Sequence, residues 1–98
     1  MEHAIHRVTG FTIVGPYTLA IDFADGTNRT IDFLQVLAGE LYAPLRELSL
    51  FNRVKVDFEV HTLVWPNGAD FDPAILHDWP LYEQAFRERA QRWETVHR

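Results

Sequence analysis

The sequence predicts an α+β fold, in which short helices cover one face of a small antiparallel-dominated sheet and an amphipathic helix follows at the C-terminus. Apolar and polar residues alternate over the first third of the chain, as in half-buried strands. Helical spacing replaces this alternation between Phe33 and Phe51, and the alternation returns from Val54 onward. Residues 81–97 contain neither glycine nor proline and follow a helical period.

Length and composition predict one globular domain. The chain has 98 residues, of which 47% are apolar and 23% are charged. We therefore expect residues 1–98 to form a single domain, with an α+β body over 1–79 and a C-terminal helical extension over 80–98. Cysteine is absent, which excludes disulfides, thiolate nucleophiles and cysteine-ligated metals. No apolar run approaches the length of a membrane span and no leader pattern opens the chain, so we expect a cytoplasmic protein.

The charge distribution argues against direct nucleic-acid binding. The net charge is −5, and no basic stripe that could track a phosphate backbone is visible. Acidic groups outnumber basic ones over the first eighty residues. The segment from Leu81 onward carries four arginines against three glutamates, and so differs from the body.

The first half of the chain predicts three strands, the last two of them antiparallel. Asp25-Gly26 is the strongest hairpin signal. A three-residue loop of Ala24, Asp25 and Gly26, with Gly26 in a left-handed conformation, would pair Leu19 with Ile31 on one face. A two-residue loop would place odd positions opposite even ones and is disfavoured. The predicted strands lie near residues 4–13, 17–23 and 27–33.

The middle of the chain predicts a short helix, a connector and a further strand. Leu34, Leu37 and Ala38 fit one helical face, with Asp32 as its cap and Gly39 as its stop. Pro44 prevents one continuous helix through the connector that follows. The alternation then predicts a strand with these residues on one face: Val54, Val56, Phe58 and Val60. On the other face lie Arg53, Lys55, Asp57, Glu59 and His61.

Two sets of polar residues have the types that acid–base or metal chemistry needs: one group on the predicted strand, and the five histidines of the chain. Asp57, Glu59 and His61 would share one face of the strand, either as a carboxylate–histidine site or as an ordinary solvent face. The five histidines show no ligand spacing typical of a zinc site, and His3 and His6 would lie on opposite strand faces. We therefore predict no metal site.

The segment Trp65–Asp72 is the candidate binding element. An apolar run ends at Trp65, and Pro66-Asn67-Gly68 predicts a turn with Gly68 left-handed. A small-ligand or hydrolytic site here would use Trp65, Asn67, Asp70 and Asp72. The structural alternative makes Trp65 a core anchor, lets Asp70 accept turn N–H groups and lets Asp72 cap a helix through Leu76 that Trp79-Pro80 ends.

No catalytic residue or cofactor is predicted. The only serine, Ser49, lacks the flanking glycines of a nucleophile elbow, and the five glycines are scattered singly rather than grouped in a phosphate loop. The sequence therefore shows neither a convergent nucleophile–base pair nor a strong metal-ligand spacing.

The C-terminal helix carries an aromatic stripe that a second surface must cover. The stripe is about 21 Å long and is interrupted by one arginine side chain. We predict that this helix docks on a second protein chain, for which we expect a symmetric copy; the alternative is that the body itself covers the stripe. The residues of the stripe are Tyr82, Phe86, Arg89, Trp93 and Val96.

Several segments together resemble a known family. They include Asp22-Phe23-Ala24-Asp25-Gly26, the run from Gly39 to Arg46, and above all Trp65-Pro66-Asn67-Gly68-Ala69-Asp70. These residues resemble the small bacterial family called domain of unknown function twenty-four forty-two, over about residues 4–78. The resemblance implies a compact α+β domain, sometimes fused to a helix-turn-helix or encoded beside a second small protein. It therefore implies regulation or a toxin–antitoxin pair, with the residues from Pro80 onward outside the family pattern.

Two functions of different classes follow from these observations. The first is a non-enzymatic protein-interaction or regulatory module that uses the C-terminal helix, with a protein partner or a homodimer. The second is a small-ligand or hydrolytic site around the Trp65–Asp72 turn. We favour the first because no nucleophile–base pair is apparent.

Overall fold

The computed structural model describes residues 5–96 and confirms the α+β fold. It contains one three-stranded sheet, one two-stranded sheet, several short helices and one long C-terminal helix. None of the helices within the described residues combines the length and the apolar character that crossing a bilayer requires. The predicted first strand begins at residue 4, which lies outside the described residues.

The three-stranded antiparallel sheet has the predicted hairpin. Its strands are β1 (Val8–Gly15), β2 (Thr18–Phe23) and β3 (Asn28–Asp32), in the order β1-β2-β3. Leu19 pairs with Ile31, and Gly26 has a φ of +90°. The Phe23 N–H donates to the Thr27 carbonyl at 2.9 Å, which closes a loop of three residues. Both the register and the left-handed glycine are therefore confirmed.

The segment after β3 is more fragmented than predicted. Asp32 Oδ1 accepts from the Leu34 N–H at 3.0 Å, as a cap should, but only one 3₁₀ turn follows, over Leu34–Val36. The prediction that Gly39 stops a helix is wrong, because Gly39 begins helix α1 (Gly39–Tyr42) with a φ of +88°. A second 3₁₀ turn (Ala43–Arg46) and helix α2 (Leu48–Phe51) complete the connector.

The strand predicted over residues 53–61 is wrong beyond Asp57. Strand β4 covers Lys55–Asp57 and pairs with β5 (Thr62–Val64), and residues 58–61 form the turn between them. Asp57 Oδ1 accepts from the Glu59 N–H at 2.8 Å, and the Asp57 carbonyl accepts from the His61 N–H at 2.7 Å. These bonds curl the chain, so Asp57, Glu59 and His61 do not share a strand face. Phe58 is left 71% exposed.

The core lies between the sheets and the helices and is rich in aromatic rings. Phe33 is fully buried and contacts Phe71 at a ring-centroid distance of 5.3 Å. Helix α3 (Pro73–His77) follows, and α4 (Trp79–Val96) begins at Trp79, where the sequence predicted only the end of the preceding helix. The α4 helix packs on this core through Trp79 and Phe86, whose rings lie 5.5 Å apart, and Ala90, one turn further along the helix, is also buried.

Candidate functional site

Trp65 lies inside the protein, as predicted for a core anchor. Its side chain is 3% exposed, and its indole Nε1–H donates to the Phe51 carbonyl at 2.9 Å. Its ring also contacts the rings of Phe33, Phe51 and Phe71. The polar end of the indole is therefore occupied by the backbone, and the apolar body of the ring fills the core.

Asn67 binds main-chain groups with both ends of its amide. Its Nδ2 donates to the Leu41 carbonyl at 2.9 Å, and its Oδ1 accepts from the Ala69 N–H at 3.1 Å. Gly68 has the predicted left-handed conformation, with a φ of +88°. The side chain thus fixes the turn and ties it to helix α1. Both the oxygen and the nitrogen of the amide have a main-chain hydrogen-bond partner.

The two aspartates of this element have separate positions. Asp72 Oδ1 accepts from the Ala74 N–H at 2.8 Å and caps α3, as predicted. The prediction that Asp70 accepts turn N–H groups is wrong, because Asn67 accepts that bond. The Asp70 carbonyl instead accepts from the Tyr42 hydroxyl at 2.5 Å. Burial, and then the Asp70 carboxylate, raise the pKa of Tyr42. The four predicted site residues therefore do not converge on one cavity.

A different group of titratable side chains does converge. We call it the His77 cluster; its members are His6, Asp25, His77 and Asp78. His77 Nε2 lies 2.7 Å from Asp25 Oδ2, and His77 Nδ1 lies 2.8 Å from Asp78 Oδ1. The His6 ring stacks on the His77 ring, with centroids 3.7 Å apart and planes inclined by 15°. The cluster joins the segment before β1, the β2–β3 loop and the α3–α4 junction.

The position of His77 is set by groups around the cluster. Arg29 Nε donates to the His77 carbonyl at 2.7 Å, and the Phe23 ring meets the imidazole edge-on. Thr27 Oγ1 lies 3.2 Å from His77 Nε2, and the Thr27 N–H donates to Asp25 Oδ1 at 2.9 Å. The His77 side chain is only 13% exposed. It is therefore held in place from the strand, the loop and the helix at once.

The electrostatics of the cluster agree with this geometry. The bonds from Thr27 and His77 lower the pKa of Asp25 from 3.8 to about 2. Hydrogen bonding to Asp78 raises the pKa of His77, with Asp25 adding to the rise and partial burial opposing it. The His77 imidazolium and the Asp25 carboxylate thus favour each other's charged forms.

Residues 8–82 match the model of a family described as a protein of unknown function, DUF2442. The match covers more than half of the chain. The chain belongs to the DUF2442 family. Among curated proteins and among solved structures, no match was found.

The DUF2442 match ends in the first turn of α4. The Trp65–Asp72 turn and three members of the His77 cluster therefore lie inside the matched segment, with His6 just before it. Most of α4, including Phe86, Arg89 and Trp93, follows after its end. Most of the helix predicted to dock therefore lies beyond the matched segment, and only its first turn lies inside it.

The predicted docking stripe borders a narrow groove between α4 and α1. Phe86 and Trp93 are half-buried, and the Arg89 guanidinium lies 5.2 Å from the centre of the Phe86 ring. Tyr82 is 40% exposed. The Val96 side chain lies outside what the structure describes. The groove has a volume of about 90 Å³, and its wall is completed by Val36, Ala38, Gly39, Tyr42 and Ala90.

The other flank of α4 borders a wider and more polar groove. It has a volume of about 340 Å³ and includes Arg46, Arg87 and Glu94 in its wall. Arg46 forms an ion pair with Glu94 at 3.1 Å, and its guanidinium lies 5.9 Å from the centre of the Trp93 ring. Arg46 Nε also donates to the Leu37 carbonyl at 2.6 Å. These contacts fix the second half of α4 on the body.

Sequence reasoning missed the His77 cluster because its members are far apart along the chain. Asp25 and His77 are separated by 52 positions. No regular spacing connects them, and the local pattern assigned Asp25 to the hairpin loop alone. The only local signal was the adjacency of His77 and Asp78 at the end of a short helix, which is common in proteins without any site.

Proposed function

We propose that this DUF2442 protein is a non-enzymatic protein-interaction module that pairs with a second copy of itself through helix α4. Such a module suits a regulatory role, including the toxin–antitoxin arrangement that the family resemblance implies. Its cysteine-free composition suits a cytoplasmic location.

The use of the Trp65–Asp72 side chains supports an interaction module over a hydrolytic site. Trp65, Asn67 and Asp72 each bond to a main-chain group. A general acid or base must reach a substrate proton, and a side chain already engaged in holding a turn is poorly placed to do so. The Asp70 carboxylate is exposed and makes no hydrogen bond within residues 5–96, and the titratable group that it influences, the Tyr42 hydroxyl, already donates to the Asp70 carbonyl.

The observation that carries the proposal is the apolar groove between α4 and α1. At about 90 Å³ it is too small for a typical small-molecule ligand, which occupies several hundred Å³. It has room for one apolar side chain, which is how hot spots of protein interfaces are usually filled. Aromatic rings and an arginine on its wall have the composition that such hot spots favour.

Leu81 is the side chain that suits this groove. It is 79% exposed at the start of α4, eight residues before Arg89 and about 12 Å from it along the helix. When two α4 helices pair antiparallel, Leu81 of each copy comes level with the groove of the other. Exposed Ala85 then lies near the crossing point, where a small side chain permits close approach. Two identical contacts result, as in a two-fold interface.

The charges also favour a second copy. Arg89 is exposed on the rim of the groove, and the first eighty residues carry a clear excess of acidic groups. Helix α4 also carries Glu83 and Glu88, so a second α4 helix paired antiparallel offers carboxylates as well as arginines to this surface. Such complementarity mainly sets the orientation and the rate of association.

Light scattering coupled to size exclusion tests the proposal. The full chain should elute with the mass of a dimer at micromolar concentrations, and Leu81→Asp should elute as a folded monomer. Val60→Asp is the matched control, because Val60 is an exposed apolar side chain in the β4–β5 turn and should leave the dimer intact. A full chain that stays monomeric, or a Leu81→Asp variant that stays dimeric, contradicts the proposal.

A further inference from the structure

We infer that the His77 cluster is a binding site for a divalent transition metal of the zinc class. One ring nitrogen each from His6 and His77 and one carboxylate oxygen from Asp78 would bind the ion, with Asp25 as the outer carboxylate. This inference depends on the geometry of the cluster and is independent of self-association through α4.

The spacing of the three donors suits one ion. Their ligand atoms all lie within 4.8 Å of one another. A tetrahedral zinc ion with bonds of about 2.0–2.2 Å separates its ligand atoms by roughly 3.3–3.6 Å. Donor atoms 4.8 Å apart would have to approach each other by roughly 1.2–1.5 Å, and the His77–Asp78 pair, at 2.8 Å, would have to open by about 0.5–0.8 Å. Each of the three residues is partly buried, so an ion among them would be only partly surrounded by water.

Asp25 supplies the outer contact that metal-binding histidines usually have. A histidine ligand generally donates its second ring N–H to a carboxylate, which fixes the orientation of the ring. Here His77 Nε2 lies 2.7 Å from Asp25 Oδ2. That bond leaves Nδ1, on the side of Asp78, for the ion. Arg29 holds the His77 backbone, so the ring is oriented before any ion arrives.

His6 can turn toward an ion at little cost. Within residues 5–96 no hydrogen bond to its ring is found, and its contact in the cluster is the stack on His77. Coordination requires the ring to tilt out of this parallel stack, because a ring nitrogen binds in the plane of its ring. Since no hydrogen bond has to break, the tilt costs only part of the stacking contact.

The donor set determines the kind of ion. Two imidazole nitrogens and one carboxylate favour zinc and its transition-metal neighbours over magnesium and calcium, which prefer oxygen donors. On binding, the ion takes the place of the proton on His77 Nδ1, and that proton passes to water. Three protein ligands leave a fourth position, which water fills.

An ion at this site would tie three segments together. It would join the chain before β1 to the α3–α4 junction, next to the β2–β3 loop that holds Asp25. Because the unfolded chain does not hold these donors together, bound metal should stabilise the folded protein by mass action. We therefore expect zinc to raise the melting temperature.

Calorimetric titration of the full chain with ZnCl₂, after treatment with EDTA and dialysis, tests this inference. We expect one zinc ion per chain, and no binding of MgCl₂ under the same conditions. His6→Asn should abolish the saturable binding, whereas Asp25→Asn should weaken it by about 10–100-fold, as is usual for an outer-shell partner.

His61→Asn is the matched control. It removes a half-buried imidazole outside the cluster, and asparagine tolerates the left-handed backbone at this position, where φ is 57°. This variant should bind zinc like the unchanged protein. Circular dichroism should confirm that all three variants are folded. An unchanged protein that binds no zinc overturns the inference, and so does a folded His6→Asn variant that binds zinc with undiminished affinity.

Discussion

The Trp65–Asp72 turn and the His77 cluster are both rich in polar side chains, but they use them in opposite ways. In the turn, the polar side chains form hydrogen bonds with main-chain groups, either nearby in sequence or across the core. In the cluster, the His77 side chain hydrogen-bonds to the side chains of Asp25 and Asp78 and stacks on that of His6. A main-chain partner is fixed by the fold, whereas a side-chain partner can be exchanged for a ligand. The turn therefore serves stability, and the cluster is the place where an ion can bind.

The largest expected effect comes from breaking the turn at its buried ring. Trp65→Ala should lower the free energy of unfolding by about 3–5 kcal/mol, because it leaves a cavity in the aromatic core and removes the bond to the Phe51 carbonyl. Urea denaturation measures this. A variant with an unchanged urea midpoint that has lost a binding partner would make Trp65 a recognition residue instead.

The next largest effect on stability is expected from substituting one glycine in each region. Gly26 and Gly68 have φ values of +90° and +88°, and the space beside each is open. Valine at either position should therefore cost about 1–2 kcal/mol through backbone strain alone. The two variants should differ in zinc binding, since only Gly26 adjoins Asp25.

Asparagine at the same two positions is the control for strain, because it tolerates positive φ better than valine. Each asparagine variant should therefore be more stable than the valine variant at the same position and lie closer to the unchanged protein. Equal urea midpoints for the valine variant and the unchanged protein would mean that the turn in question is not left-handed.

A smaller effect is expected from the polar side chains of the turn. Asp72→Ala removes a helix cap and should cost about 1 kcal/mol, and Asn67→Ala removes two hydrogen bonds and should cost about 1–2 kcal/mol. Asp70→Ala serves as the control, since the Asp70 carboxylate makes no hydrogen bond within residues 5–96. A drop in stability for Asp70→Ala as large as for Asn67→Ala would contradict these assignments.

The smallest effect on stability is expected for Asp25→Asn in the His77 cluster. The side chain is about half exposed, and asparagine preserves its shape. We expect its urea midpoint without zinc to stay close to that of the unchanged protein. A large loss of stability in the absence of zinc would show that the cluster, like the turn, is mainly structural.

Local chemistry explains which parts of the fold could be predicted from the sequence. The β2–β3 hairpin was predicted to its register because Gly26 and the alternation around it act over a few residues. The segment after Asp57 was mispredicted because alternation does not distinguish a strand from a turn. There the Asp57 side chain binds the backbone and bends the chain.

The candidate site depended on contacts that no local pattern shows. Burial of Trp65 followed from the apolar run before it, and the Asp72 cap followed from its position before Pro73. The meeting of Asp25 with His77 requires the β2–β3 loop to pack against the α3–α4 junction. Such a contact between distant segments becomes visible only in the folded chain.

The change in melting temperature on adding ZnCl₂, measured for Asn67→Ala and His6→Asn, tests the difference between the two regions most directly. Asn67→Ala should melt at a lower temperature without zinc and still gain the full zinc-induced rise. His6→Asn should melt close to the unchanged protein without zinc and gain nothing from it. A full rise in His6→Asn, or no rise in Asn67→Ala, would contradict the assignment of stability to the turn and metal binding to the cluster.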